Sequence, residues 1–298
     1  MKNAQLRFGL CALALGFALI GCKKDPQSVN VSVMTYNVAG LPEPISGSKP
    51  ATYTSTIGRL MNVVDIVHVQ EDFHYHDSLL LTDRHTYQTP FMGDAFYGDG
   101  LNTFSLFPYQ NFSRTKWTDC ADADCFTPKG FSYSQIEVAP DLWIDFYNVH
   151  MNAKTYEEAS VARQKNTKQL CAYIKEHSAG RPVIVMGDMN SRYTRTADSI
   201  RYVLDLGFSD PWIELVRNGQ LPPQDDNSLV NCGTDGSART QIDCEKVDKI
   251  FYRGNDKVEI EPILYQLDDI QYYFHNNDTL PLSDHWPLFT VFRITKRN

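Results

Sequence analysis

The sequence predicts an α/β fold in which two mixed β-sheets pack face to face and helices cover their outer faces, a four-layer αββα sandwich. Three observations favour it. Predicted strands outnumber predicted helices, and several strands are separated by helices, so the order is neither a βαβ repeat nor an all-β meander. The 298-residue chain also contains 16 Tyr and 16 Phe, and aromatic residues are enriched in strands because they fit a pleated surface.

The first 30 residues are predicted to lie outside this fold. Basic residues Lys2 and Arg7 precede an apolar run from Phe8 to Ile20, which is the layout of a secretory signal and is short for a membrane span. The run ends in Leu-Ile-Gly-Cys22, which resembles the signal of bacterial lipoproteins. The resemblance implies cleavage before Cys22 and a lipid on that cysteine, with ordinary cleavage nearby as the alternative. We therefore divide the chain into a signal peptide (1–21), a tether (22–30) and one folded domain (31–298).

The N-terminal half of the domain begins with two strands separated by a helix. Val31–Asn37 alternates between polar and apolar residues and predicts a strand. Ala51–Val64 has apolar residues at helical spacing, and Asp65–Glu71 contains an apolar run typical of a strand buried on both faces. Three shorter elements follow, a helix at 76–83 and strands at Gly100–Phe107 and Gly130–Val138.

The C-terminal half contains the clearest buried strand, Pro182–Asn190, whose apolar run shows no polar alternation. A strand at Leu142–His150 and an amphipathic helix at Tyr156–His177 precede it. A helix at Thr196–Leu206, with Gly207 just past its end, follows it. Residues 218–245 are rich in Gly, Pro, Asp, Asn and Ser and predict a long loop. The last predicted strands are Lys246–Tyr252, Val258–Leu267 and Trp286–Ile294.

Polar residues able to do chemistry stand at the ends of the predicted strands. Asp188 and Asn190 follow Gly187 and, being two apart in extended chain, point to the same side. Each such residue taken singly has a plainer explanation, such as capping a turn or pairing with a surface lysine. Together they fit one site at the ends of neighbouring strands. The residues are Asn37, Glu71, His150, Asp188, Asn190, Asp248, Asp284 and His285.

The motifs around these residues resemble those of the endonuclease/exonuclease/phosphatase superfamily, which includes pancreatic-type deoxyribonuclease and bacterial neutral sphingomyelinase. They stand in the expected order and cover the chain from about residue 31 to residue 294. The resemblance implies a catalytic domain that hydrolyses a phosphate ester by attack of water with the help of a metal. The motifs are Thr-Tyr-Asn37, Val-Gln-Glu71, Tyr-Asn-Val-His150, Gly-Asp188-Met-Asn190, Val-Asp248-Lys-Ile-Phe and Ser-Asp284-His285-Trp-Pro.

The same resemblance assigns a metal site. Glu71 would hold a divalent cation with Asn37 close by, and Asp284 would support the metal region. Mg²⁺ is the expected ion, with Mn²⁺ or Ca²⁺ as alternatives, because Mg²⁺ binds to few carboxylates and keeps room for a phosphate oxygen.

The remaining motif residues are assigned to the reaction. His285 would be the general base that activates water, and Asp248 would fix its tautomer. Asp188 would orient the water. His150, Asn190 and Asn37 would bind the phosphate, and His150 would also assist the leaving group.

The cysteines predict two disulfide bridges. Cys120 with Cys125, and Cys232 with Cys244, lie in polar, loop-like sequence, and an exported chain is found where disulfides persist. Cys171 lies in an amphipathic helix and is expected to be a buried free thiol.

Three features favour a sphingomyelinase or phospholipase C-type enzyme that acts on a phospholipid head group. Pro128-Lys129-Gly130-Phe131 resembles the Lys-Gly segment of the sphingomyelinase branch. The aromatic residues of Tyr265–Phe274 could lie at a lipid interface, although a strand facing the core explains them equally well. The chain is also acidic and predicted to be tethered to a membrane.

Two other functions remain open. An exported deoxyribonuclease-like enzyme ranks second, because the formal net charge of −8, or −10 without residues 1–21, suits nucleic acid poorly. A non-catalytic surface-binding lipoprotein ranks third, because every motif position keeps a chemically competent residue. We expect the protein to be a monomer.

Overall fold

The computed structural model describes residues 27–226, 228–232, 242, 244–267, 273–275 and 279–297. The predicted signal peptide and Cys22 therefore lie outside the described residues, as do residues 268–272 of the aromatic stretch. Among the residues described, no helix is long and apolar enough to cross a membrane.

The described chain forms fifteen strands and three α-helices. The helices are α1 (Pro50–Met61), α2 (His76–Leu80) and α3 (Glu157–His177), with short 3₁₀ or π turns at Asp122–Phe126, Ile200–Leu206 and Trp212–Val216. The strands are β1 (Gln27–Asn37), β2 (Ile66–Gln70), β3 (Tyr87–Gln88), β4 (Asn102–Ser105), β5 (Tyr109–Lys116), β6 (Gly130–Ala139), β7 (Leu142–His150), β8 (Val183–Asp188), β9 (Val230–Asn231), β10 (Cys244–Glu245), β11 (Asp248–Arg253), β12 (Val258–Leu267), β13 (Tyr273–His275), β14 (Thr279–Pro281) and β15 (Leu288–Lys296).

Two large mixed sheets make up the centre of the fold. One has six strands in the order β12-β15-β1-β2-β4-β3, and the other has five in the order β11-β8-β7-β6-β5. The inner faces pack together through an apolar cluster that includes Val31 and Val33 from β1 and Ile184 and Met186 from β8. Alternate residues of each strand point to opposite faces, so the neighbouring side chains are left to pack against the helices.

Helices cover both outer faces. Ile57 and Met61 of α1 pack on Met34 and Tyr36 of β1. On the other sheet, Leu170, Cys171 and Ile174 of α3 pack on β7 and β8. These layers confirm the predicted αββα sandwich.

Several predicted boundaries need correction. The tether was predicted to extend to residue 30, which is wrong for Gln27–Asn30, because these residues pair with β15 from Lys296 to Arg293. The predicted helix at Thr196–Leu206 is only a 3₁₀ segment at Ile200–Leu206, although Gly207 does end it in a left-handed conformation with φ 79°. Strand β5 was missed because its sequence, YQNFSRTK, is mostly polar and lies at the sheet edge.

Both predicted disulfides are confirmed. Cys120 is bonded to Cys125 and Cys232 to Cys244. Cys171 is a buried free thiol, as expected from its place on the apolar face of α3.

The topology brings the chemistry-bearing strand ends to one edge of the sandwich. β1 runs parallel to β2, and β7 runs parallel to β8, so their C-terminal residues finish at the same level within each sheet. β11 is antiparallel to β8, and Asp248 lies directly opposite Asp188.

Candidate active site

Asn37 joins the two sheets at the centre of the site. Its side-chain amide donates one hydrogen bond to Glu71 Oε1 at 3.0 Å and another to Asp188 Oδ2 at 3.2 Å. Its own Oδ1 accepts from the backbone N–H of Ala39 at 3.0 Å. Since Asn37 is only 1% exposed, this amide fixes the separation between a carboxylate of one sheet and a carboxylate of the other.

Glu71 stands just past the end of β2 in a left-handed conformation, with φ 55°. Gly100 packs against it, and a Cβ added to Gly100 would lie 3.1 Å from the Glu71 Cα. The backbone carbonyl of Glu71 accepts from Gly40 at 2.9 Å. The side chain is 23% exposed, so part of this carboxylate faces the open edge of the site.

His285 and Asp248 form a hydrogen-bonded pair. His285 Nδ1 lies 3.0 Å from both carboxylate oxygens of Asp248, which leaves Nε2 facing the site, 3.8 Å from Asp188 Oδ2. Burial by itself would lower the pKa of His285, but the negative charges of Asp248 and Asp188 outweigh it and raise the pKa to about 10. Conversely, burial would raise the pKa of Asp248, but the attraction of His285 outweighs it and keeps that pKa below its usual range.

Asp188 lies between the two histidines. Its Oδ2 is 3.5 Å from His150 Nε2, and its Oδ1 accepts from the backbone N–H of Asn190 at 2.9 Å. Burial raises the pKa of Asp188 to about 6, and repulsion from Asp248 acts in the same direction.

His150 is a neutral imidazole. It is 1% exposed, and burial, followed by the positive charges of Lys129 and His285, holds its pKa well below the usual value. Its Nε2 faces two carboxylate oxygens, including Glu71 Oε1 at 3.9 Å. We therefore assign the proton to Nε2, where it can be donated to a substrate oxygen.

Two further predicted residues have side-chain contacts outside this group. The Asn190 amide donates to the carbonyl of Met151 at 3.1 Å, which leaves only one of its N–H groups for a phosphate. Asp284 is exposed, and its carboxylate lies against Gly47, where an added Cβ would be 2.7 Å from Oδ2. The structure thus places the Asp284 carboxylate beside the loop that contains Gly47.

Two buried lysines lie near the site. Lys129 belongs to the Lys-Gly segment singled out from the sequence, whereas Lys246 was not predicted to be near the site. Lys129 is 9% exposed and pairs with Asp124 at 2.8 Å, and its positive charge acts on both His150 and Asp188. Lys246 is 7% exposed, and burial lowers its pKa while the charges of Asp248 and Asp188 oppose the change. The Lys-x-Asp spacing at 246–248 was the available signal, since residues two apart in extended chain share a side.

The donor set suits a hard divalent cation. Within the described residues, ligand atoms of Asp188, Asp248 and His285 lie within 4.8 Å of one another, and Glu71 is linked to Asp188 through Asn37. Carboxylate oxygens dominate this set, as Mg²⁺, Mn²⁺ and Ca²⁺ require. Glu71 is the best placed of these acids to bind such an ion, because its carboxylate is partly exposed and is not hydrogen-bonded to His285.

The chain matches a family model and several curated proteins. The model described as "Endonuclease/Exonuclease/phosphatase family 2" matches residues 59–291. The chain is 33% identical over 284 residues to a sphingomyelinase of Mycobacterium tuberculosis, covering 92% of this chain and 55% of that protein. It is 24% identical over 295 residues to a putative neutral sphingomyelinase of Caenorhabditis elegans, covering 89% of this chain and 67% of that protein. The chain thus spans about half the length of the mycobacterial relative.

Solved structures share the fold. A sphingomyelinase C from Streptomyces griseocarneus is 19% identical with a TM-score of 0.59, covering 91% of this chain and 100% of that one. A beta toxin variant from Staphylococcus aureus with bound magnesium ions is 16% identical with a TM-score of 0.60, covering 88% and 99%. A Bacteroides thetaiotaomicron protein of the endonuclease/exonuclease/phosphatase family is 15% identical with a TM-score of 0.65, covering 90% and 98%.

Proposed function

This chain belongs to the endonuclease/exonuclease/phosphatase family 2, and from that membership we propose that it is a metal-dependent phosphodiesterase that cleaves the head group from a sphingomyelin-type phospholipid. The observation that carries the proposal is the His285–Asp248 pair. Nε2 of His285 is not bonded to Asp248 and faces Asp188, which Asn37 links to Glu71. The 33% identity to a sphingomyelinase over most of this chain supports the lipid substrate.

The residues divide the work of hydrolysis between them. In its neutral form, His285 takes a proton from water at Nε2 while Asp248 holds the tautomer through Nδ1. The water oxygen then bonds to phosphorus and the bond from phosphorus to the alcohol oxygen breaks. The leaving oxygen takes a proton from solvent to form the alcohol, and His285 returns its proton to solvent. His150 is suited to give a hydrogen bond to the phosphate or to the leaving oxygen, because it stays neutral and points Nε2 into the site.

Glu71 would hold a divalent cation, and we propose Mg²⁺. When bound, such an ion supplies polarisation of a phosphate oxygen and offsets the negative charge that builds up in the transition state. The protein positions the carboxylate for such an ion, because Asn37 holds Glu71 at a fixed place relative to Asp188.

A substrate panel tests this proposal. The purified protein with Mg²⁺ should release phosphocholine from sphingomyelin in mixed micelles, and chelator should abolish the release until Mg²⁺ is restored. His285→Ala should lower the rate by at least about a hundredfold. His177→Ala, which changes an exposed residue at the C-terminal end of α3, should not. Nicking of plasmid DNA with intact sphingomyelin would replace the lipid substrate with nucleic acid, and full activity in chelator would refute the metal-dependent reaction.

We also propose that the protein is exported and anchored to a membrane through a lipid on Cys22. The basic, apolar and Cys-containing order of residues 1–22 supports this, as do the two disulfides of the folded domain, since such bonds persist outside the cytosol. Metabolic labelling with a fatty acid should mark the wild-type protein and leave Cys22→Ala unlabelled. Labelling of both proteins would contradict this anchor.

A further inference from the structure

Two buried amide side chains join the sheets directly beneath the candidate active site. Gln70 is the last residue of β2 in the six-stranded sheet, and Asn148 lies on β7 in the five-stranded sheet. Gln70 is 0% exposed and Asn148 is 1% exposed, although Gln and Asn are mostly surface residues. The hydrolysis proposed above assigns no role to either of them.

Three hydrogen bonds of these amides cross from one sheet to the other. Gln70 Nε2 donates to Asn148 Oδ1 at 2.8 Å. In the opposite direction, Asn148 Nδ2 donates to the carbonyl of Val69 at 3.0 Å and to the carbonyl of Asn102 at 3.0 Å. The second proton of the Gln70 amide is donated to Thr35 Oγ1 at 3.0 Å. Both N–H groups of each amide are therefore used, and neither side chain can turn without leaving a buried polar group unpaired.

The amide pair lies one step below the residues of the site. Gln70 immediately precedes Glu71. Asn148 precedes His150 by two residues, and side chains two apart on a strand point to the same face about 7 Å from each other. Glu71 is thus attached to the six-stranded sheet and His150 to the five-stranded sheet, and the amide pair connects the two sheets just beneath them.

The contacts above and below the amide pair constrain the spacing of the sheets less strictly. Above it, Glu71 Oε1 and His150 Nε2 are 3.9 Å apart, and Asn37 reaches Asp188 through one hydrogen bond of 3.2 Å. Below it, Phe146 of β7 packs in the apolar cluster between the sheets. Apolar contacts are non-directional, so they tolerate small displacements that three directed hydrogen bonds oppose.

We propose that Gln70 and Asn148 are positioning residues that set the distance between the two halves of the active site. They fix how far Glu71, on one sheet, lies from His150 and Asp188, on the other, without contacting the substrate. The inference rests on the phosphodiester hydrolysis proposed above and not on the lipid as substrate. Because a displacement of about 1 Å can cost about a hundredfold in rate, loss of the pair should lower kcat even in fully folded protein.

The first test is a double-mutant cycle with bis(p-nitrophenyl) phosphate as substrate, at a temperature where urea titrations show every variant to be folded. Gln70→Leu and Asn148→Leu keep most of the side-chain volume but remove cross-sheet hydrogen bonds. Each should lower kcat about tenfold to a hundredfold, with a much smaller change in KM, because the spacing matters most in the transition state. The double variant should lose no more activity than Asn148→Leu alone, because both changes remove the same connection.

Gln135→Leu is the matched control. Gln135 on β6 is 4% exposed and donates to Asp145 Oδ1 on the neighbouring strand β7 at 3.0 Å, so this variant loses a buried hydrogen bond within one sheet and should keep the wild-type kcat. A lower urea midpoint with wild-type kcat in both Gln70→Leu and Asn148→Leu would mean that the pair only stabilises the fold, and would overturn the proposal. Losses of kcat that multiply in the double variant would overturn it as well.

A second measurement does not depend on activity. His150 Nε2 faces oxygens of Glu71 and Asp188, so the NMR signals of this imidazole report the spacing of the sheets. In the metal-free protein, Gln70→Leu should shift these signals although Gln70 is on the other sheet, and Gln135→Leu should leave them in place. Unchanged His150 signals in Gln70→Leu would refute the positioning role.

The two failures can be told apart. If the wild-type protein hydrolyses no phosphodiester, the proposed function is wrong, and the His150 signals still decide whether the amide pair sets the spacing. If the wild-type protein is active while Gln70→Leu keeps both its kcat and its His150 signals, the positioning role alone is refuted.

Discussion

Replacing Asp248 by Asn tests how the site prepares its base. The change keeps the shape of the side chain but removes the charge that faces His285 Nδ1, where both carboxylate oxygens lie at 3.0 Å. An asparagine amide can also turn its NH₂ group towards Nδ1. The imidazole would then carry its proton on Nε2, the nitrogen that has to accept one from water.

The structure indicates how large the effect should be. The rise in the pKa of His285 from 6.5 to about 10 corresponds to about 5 kcal/mol of preference for the charged imidazolium. Asp248 contributes the largest attraction, so its loss should remove a large part of this preference. A raised histidine pKa stabilises the folded metal-free protein fully below pH 6.5, and the stabilisation is lost as the pH rises through about 10.

Two assays follow from this. In NMR titrations of the metal-free protein, the pKa of His285 should be clearly lower in Asp248→Asn than in the wild-type protein. In the Mg²⁺-loaded protein, kcat on bis(p-nitrophenyl) phosphate should fall by about a thousandfold or more, because the base is held in the wrong tautomer. The urea midpoint of the metal-free variant at pH 7 should also decrease.

Asp145→Asn is the matched control. Asp145 is another buried carboxylate, near the start of β7 and away from the site, and it accepts from Gln135 at 3.0 Å and Ser178 at 2.6 Å. Its loss should reduce stability with little effect on kcat. Similar kcat values for Asp248→Asn and the wild-type protein, with an unchanged His285 pKa, would refute the role assigned to Asp248.

Three further predictions concern the framework. A Cβ on Gly187 would lie 2.0 Å from the carbonyl oxygen of Val149, so Gly187→Ala should separate β8 from β7. We expect this variant to have a lower urea midpoint and a kcat reduced at least tenfold. A wild-type urea midpoint together with a wild-type kcat would contradict this close packing. Replacing Cys232 and Cys244 by Ser opens a loop with a sequence separation of 12. This double change should lower the free energy of unfolding by about 2–4 kcal/mol. An unchanged urea midpoint under oxidising conditions would argue against the disulfide bridge. Burial raises the pKa of Asp210 to about 6, so the folded state holds this proton more tightly than the unfolded chain does. The free energy of unfolding should therefore fall by about 2 kcal/mol from pH 4 to pH 7 through this group. Asp210→Asn should flatten that pH dependence in urea titrations, and an unaltered slope would exclude this role of Asp210.

The parts of the fold that sequence predicts well are those with a strong local pattern. Leu142–His150 was predicted with the bounds that β7 has in the structure. The apolar run of β8 identified a strand buried on both faces, and the two-residue spacing of Asp188 and Asn190 placed both at its end. In these cases, the burial of a strand and the side to which its side chains point follow from the local sequence alone. Successive side chains of a strand point to opposite faces whatever the strand packs against.

The contacts that no local pattern predicts join residues that are distant in the sequence. Asn37 donates to Asp188, 151 positions further along the chain, and no local pattern encodes such a distance. The Asp284 carboxylate likewise lies over Gly47, on a loop more than two hundred residues earlier.

Lys246 is the clearest example of a residue whose environment depends on distant parts of the chain. A lysine beside a strand is normally exposed. Here its ammonium is buried and donates to the carbonyl of Cys232 at 3.3 Å. That acceptor is in place because the Cys232–Cys244 bridge returns the chain to the start of β11. A buried cation is tolerated only where opposite charges face it, and the facing charges are those of Asp248 and Asp188. Lys246 is therefore buried as a consequence of the acidic site itself, and it could be predicted only after that site had been assembled.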